Sequence, residues 1–148
     1  MSNTGVSAFD STIQTTNIWL NQILDELGEP NRQAGYKYMR AVLHALRDRL
    51  SVEQAAALGT QLPLLVRGIY FEGWQPKNKP LKIRHAYEFL NVVADQLDQD
   101  DVKAEAVTRA VLNVLSKHVS KGEVNHLKHI LPAEIRNLFA DEFHTLWY

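Results

Sequence analysis

The segment Leu62-Pro63-Leu64-Leu65-Val66-Arg67-Gly68-Ile69-Tyr70-Phe71-Glu72-Gly73-Trp74 has a quieter copy later in the chain. The copy is Leu131-Pro132-Ala133-Glu134-Ile135-Arg136-Asn137-Leu138-Phe139-Ala140-Asp141-Glu142-Phe143, displaced by a constant 69 residues. Leu, Pro and Arg recur as identities. Val66/Ile135, Ile69/Leu138, Tyr70/Phe139 and Trp74/Phe143 are apolar exchanges of like for like. The gapless match from Arg40 to Trp74 holds 10 identities in 35 positions, against about two expected at average composition. Upstream, Trp19-Leu20-Asn21 matches Phe89-Leu90-Asn91 at an offset of 70. A repeat of this length predicts a supersecondary unit built twice and packed on itself.

The unit is helical. Ile13, Ile18, Trp19, Ile23, Leu24 and Leu27 recur at helix spacing over about 10–27, with Asp10 or Ser11 as cap and Gly28-Glu29-Pro30 as stop. Tyr36, Met39, Val42, Leu43, Leu46 and Leu50 form the face of a second helix. Ser51-Val52-Glu53-Gln54 is a capping-box pattern that starts a short third one. Pro63 suits the first position of a fourth, where its missing N–H costs nothing. The expected architecture is all-α, with eight helices in two pseudo-equivalent four-helix halves packed into one globular domain. A loose N-terminus (1–8) precedes the first repeat (9–74); 75–80 is the linker, and the second repeat (81–148) has its helices over 81–143. The halves are expected to pack through the 62–74 helix.

Leu64, Leu65 and Phe71 become Ala133, Glu134 and Ala140 in the copy. The first unit thus carries a second apolar face, which with Trp74 is the predicted interaction surface. Its expected cover is the other half of the chain, then a second subunit. Arg40 and Arg109 stand among apolar positions, and buried guanidinium groups need partners. The duplicated acids Asp25 and Asp95 suggest the structural pairs Arg40–Asp25 and Arg109–Asp95. Arg67 and Arg136 are expected to cap carbonyls or pair with a carboxylate.

Arg40-Ala41-Val42-Leu43-His44-Ala45-Leu46-Arg47-Asp48-Arg49-Leu50, followed by the Leu-Pro…Arg-Gly-Ile-Tyr…Gly-Trp string from Leu62 to Trp74, resembles a bacterial family known as domain of unknown function 2267. The resemblance runs from Asn17 to Phe143. It implies an all-helical fold and brings no activity and no catalytic residues.

The chemistry-bearing residues are few. There are no cysteines, so disulfides, thiol catalysis and thiolate-bound zinc are out. His118 and Glu123-x-x-His126-x-x-His129 offer ligand-type side chains along helices, and Glu-x-x-His is half of a carboxylate-bridged di-iron motif. The first half has Gln54-Ala55-Ala56-Ala57 at the matching positions, so only a mononuclear site on His118, Glu123, His126 and His129 remains in play. His44 and Asp48, one turn apart, read as an ion pair or an acid/base pair. Lys77, Lys79, Lys82, Arg84 and His85 form a basic cluster near Trp74, the one feature of nucleic-acid character. A net charge of −1 supplies no general field for polyanions.

The chain has no signal-peptide pattern and no apolar run of membrane-spanning length, so the cytoplasm is the expected location and no membrane partner is expected. The leading expectation is a protein-interaction or scaffold module without catalysis or cofactor, its partner a second copy or another protein. A metal-dependent enzyme or small-ligand binder using the 118–129 cluster is the rival. Nucleic-acid binding through 77–85 comes third.

Overall fold

The computed structural model describes residues 3–98 and 101–140, which hold eight helices and no strand. In chain order these are α1 (Ser7–Leu27), α2 (Arg32–Arg49), α3 (Val52–Gly59), α4 (Leu64–Phe71), α5 (Ala86–Leu97), α6 (Asp101–His118), α7 (Lys121–Ile130) and α8 (Ala133–Arg136). None of them is long and apolar enough to cross a membrane.

Helix ends follow the local chemistry. α1 starts at Ser7, earlier than the expected Asp10 or Ser11 cap. Asp10 lies inside the first turn, where its charge suits the helix dipole, and its Oδ1 accepts from Thr4 N–H (3.1 Å) and Oγ1 (2.8 Å). Gly28 ends α1 at φ +63°, and Glu29 N–H reaches Leu24 O at 3.0 Å. Asp98 holds the same left-handed cap after α5 at φ +55°. The Ser51–Gln54 capping box is formed in both directions, at 3.2 and 3.1 Å. Pro63 is the cap residue itself, one place before the first helical position.

α2 is the centre of the molecule. Residues 41–47 are buried without interruption, the mark of a helix covered on every side. Its neighbours are α1, α4, α5 and α6. Tyr38, rather than the expected Tyr36, turns inward. The core is one continuous cluster that includes Trp19, Ile23, Met39, Leu43 and Leu46 from α1 and α2, with Phe89, Val93, Val111 and Leu115 from α5 and α6.

The segments before and after the linker meet through α1 on α6 and through α2 on α5 and α6. This corrects the expectation that the 62–74 helix would join them: α4 packs on α1, α2 and α3. The reason lies in its stripe. Leu62, Val66 and Tyr70 face inward and are fully buried, while Leu64 and Leu65 fall on the other side of the first turn.

A guanidinium closes each short helix pair. Arg67 donates from Nε to Gly59 O (2.9 Å) and from Nη2 to Leu62 O (2.8 Å). Arg136 does the same with Lys128 O (2.5 Å) and Leu131 O (3.1 Å). Both bond carbonyls at and just beyond the end of the preceding helix.

Candidate functional site

The expected metal ligands do not assemble. His118, near the end of α6, lies flat against Trp19 of α1 with ring centroids 4.8 Å apart, and its Nε2 bonds Gln22 Oε1 at 2.7 Å. Burial pushes its pKa below the ordinary value, and Lys117 adds to the shift. Glu123, His126 and His129 lie on α7, the two histidines exposed. Among the described residues no group of three or more His, Cys, Asp or Glu side chains could hold a metal ion. Positions 123, 126 and 129 drift round α7, and His118 is occupied across the α1–α6 contact.

His44 is not paired with Asp48. It is buried, and its Nε2–H donates to Ile69 O at 2.7 Å. A carbonyl can only accept, so this ring nitrogen carries the proton. Burial dominates the lowering of its pKa, and the Arg47 and Arg40 charges reinforce it. Asp48 instead accepts from Arg47 Nε at 3.1 Å.

The structural pairs need correction too. Arg40 Nε meets Glu72 Oε1 at 3.0 Å, not Asp25. Arg109 Nε meets Glu105 Oε2 at 2.9 Å, one turn back, and its Nη1 donates to Asn137 O at 3.0 Å. Asp25 and Asp95 lie exposed in the last turns of α1 and α5.

The buried cation is Arg47, which the sequence did not single out. It is 5% exposed, and its Nη1 donates to both Tyr70 O and Glu72 O at 2.7 Å. With His44 on Ile69 O and Arg40 on the Glu72 carboxylate, one face of α2 holds the carboxyl end of α4, where positive charge complements the helix dipole. Tyr70 completes the anchor by donating to Ala55 O at 2.8 Å, and burial raises its pKa. His44, Arg47 and Tyr70 bond backbone carbonyls and Arg40 the Glu72 carboxylate, so the cluster anchors α4.

The apolar surface is real but differently composed. Leu64 and Leu65 are 56% and 39% exposed, so the second half does not cover them. Phe71 and Trp74 are half-buried against each other, 5.4 Å between centroids. The Phe71 ring also lies over Gly59, where a Cβ would come within 2.5 Å of it. At Gly68, by contrast, nothing lies within 4 Å of where a Cβ would stand. Phe143, the counterpart of Trp74, lies outside the described residues.

What joins Leu64 and Leu65 is α1. Leu65 N–H donates to Thr12 Oγ1 at 2.8 Å, which sets the start of α4 beside the first turns of α1. There Phe9 and Ile13 are 51% and 42% exposed, with Val6 preceding them. Their positions continue the stripe that is buried from Thr16 to Leu24. A concavity of about 570 Å³ borders this edge, and its one titratable lining residue, Asp10, accepts from Thr4.

Of the basic cluster, Lys77, Lys82, Arg84 and His85 are exposed. His85 Nδ1 is 2.9 Å from Glu134 Oε2, a bond that raises the histidine pKa and lowers that of the carboxyl.

The family model described as Uncharacterized conserved protein (DUF2267) matches residues 16–138. The chain belongs to that family. No curated protein matches it.

Proposed function

We propose that this chain is a non-catalytic docking module of the cytoplasm, built by internal duplication, and that its apolar edge binds a second copy. The duplication reading draws support from matched neighbours: α1 on α2 and α5 on α6, α1 on α6 and α2 on α5, α1 on α4 and α5 on α8. The paired Arg67 and Arg136 bonds support it as well, since their acceptors are offset by the same 69 residues.

The observation that carries the docking reading is the apolar stripe of α1. It runs on past the body of the molecule as Val6, Phe9 and Ile13, with Leu64 and Leu65 alongside. Burying such side chains gains roughly 25 cal/mol per Å², and a patch of adjacent apolar residues on one edge is the usual mark of an interaction site. Spacing of i, i+3 and i+7 makes a ridge that fits the groove of another such helix. Two α1 helices related by a twofold axis would present the same ridge to each other.

Sedimentation velocity on the full chain over a rising concentration series tests this. Reversible dimerisation is expected, with Phe9→Glu and Leu65→Glu each shifting the chain to monomer. Both side chains are exposed, so the unfolding free energy of either variant at low concentration should change by only about 0.5 kcal/mol. A chain that stays monomeric throughout, or a dimer indifferent to Phe9→Glu, refutes the reading.

A further inference from the structure

Between Trp74 and α5 the chain crosses the carboxyl end of α2 as a strap. Leu81 N–H donates to Asp48 O at 2.8 Å, and Arg49 Nε donates to Ile83 O at 2.6 Å. Ile83 is buried and Leu81 half-buried. Ile83 N–H also donates to Leu81 O at 2.9 Å, which makes a three-residue γ-turn with Lys82 at its centre. Lys82, at the apex of that turn, and Arg84 are both exposed.

Lys77, Lys79, Lys82 and Arg84 form no ion pair with a described carboxylate. Acids beside the strap are engaged elsewhere: Asp48, whose carbonyl holds Leu81 N–H, accepts from Arg47 Nε at 3.1 Å. Glu88 accepts from the N–H groups of Arg84 and His85, and Glu134 takes Ala86 N–H and the His85 ring. Beneath the strap, Arg49 has its pKa lowered by burial and by the Arg84 charge. Positive charge is thus concentrated on one strip, held by backbone contacts and without an ion pair to a carboxylate among the described residues.

We infer that this strip is a docking site for a short acidic segment of a partner protein. Lys77, Lys82 and Arg84, exposed and with no carboxylate partner among the described residues, complement a run of carboxylates in charge. A nucleic acid fits less well. The net charge of −1 offers its flanking phosphates no further basic surface, and Glu88 and Glu134 stand at the α5 end of the strip. The inference is independent of the apolar edge.

The test is fluorescence anisotropy of a labelled peptide of alternating glutamate and serine, titrated with the full chain at low salt. Binding is expected, weakening as salt rises and absent for the glutamine counterpart of the peptide. Lys82→Glu/Arg84→Glu should reduce affinity roughly tenfold or more, and Lys82→Gln/Arg84→Gln by less. Lys121→Glu, an exposed lysine on α7, should leave it unchanged. Phe9→Glu should bind the peptide like the unmodified chain, which separates this result from that of the dimerisation experiment. Absence of binding, equal binding of the glutamine peptide, or indifference to both double variants overturns the inference. So does tighter binding, lost in the same variants, of a single-stranded oligonucleotide or of vesicles containing phosphatidylserine.

Discussion

Replacing Arg47 by alanine should be among the most damaging single changes available on the surface of α2 that faces α4. The side chain is 5% exposed and donates from one nitrogen to Tyr70 O and Glu72 O, both at 2.7 Å, and from Nε to Asp48. Hydrogen bonds from a charged group contribute roughly 1.5–3 kcal/mol each. Truncation also strands two carbonyls and a carboxylate, and removing one partner of a buried ionic arrangement costs about 3–5 kcal/mol. We therefore expect Arg47→Ala to lose about 3–5 kcal/mol. At roughly 2–4 °C per kcal/mol for a chain of this size, that lowers Tm by about 6–20 °C. Arg40→Ala is the control, because Arg40 and Glu72 have side chains 34% and 60% exposed and such a pair contributes about 0–1 kcal/mol. Urea unfolding followed by far-UV circular dichroism, with the slope of the transition checked for constancy, measures both. A loss under about 1 kcal/mol for Arg47→Ala, or equal losses for the two variants, would refute the assignment of α4's anchor.

Gly59→Ala should destabilise by about 1–3 kcal/mol, since its Cβ would meet the Phe71 ring at 2.5 Å; Gly68→Ala, with nothing within 4 Å, should be neutral or gain up to about 1 kcal/mol. Urea midpoints distinguish the two. Arg67→Ala and Arg136→Ala should each loosen their own helix pair, with losses that add in the double variant because the sites share no partner. The histidines should titrate in opposite directions from 6.5 in two-dimensional NMR. His44, lowered by burial, favours the folded state while neutral; its contribution is complete above 6.5 and falls as pH drops toward its folded pKa. His85, raised by Glu134, contributes below 6.5 and loses that contribution as pH rises through its folded pKa. Glu134→Gln should bring His85 back toward 6.5 and leave His44 where it is.

Local chemistry was legible in the sequence wherever partners lie within one turn or one loop. The Ser51–Gln54 box, the Gly28 stop and the carbonyl-capping role of Arg67 and Arg136 are all of this kind. Helical periodicity also marked most of the core, because burial repeats with the turn of the helix. It does not tell what crosses that face. Arg47 sits in a run of charged residues, Arg47-Asp48-Arg49, that reads as solvated, and Ser116 stands 69 residues further on. Only the path of α4 over α2 makes it a buried anchor. The same gap misassigned Arg40 to Asp25: matched positions in a repeat show that both copies keep a residue type, not which pairs touch. His118 looked like a ligand because α7 follows it in sequence, whereas its ring is engaged by α1 from 96 residues away.

The central place of α2 bears on how the chain is made. A ribosome releases α1 to α4 first, and domains tend to fold as they emerge. Yet α2 rests on α5 and α6 as well as on α1 and α4. Until those later helices have left the exit tunnel, the side of α2 they will occupy stays wet, with the α6 side of α1 beside it. The first four helices are therefore a waiting intermediate rather than a finished piece, and slow synthesis across the 75–80 linker would prolong the interval in which they can stick to other nascent chains.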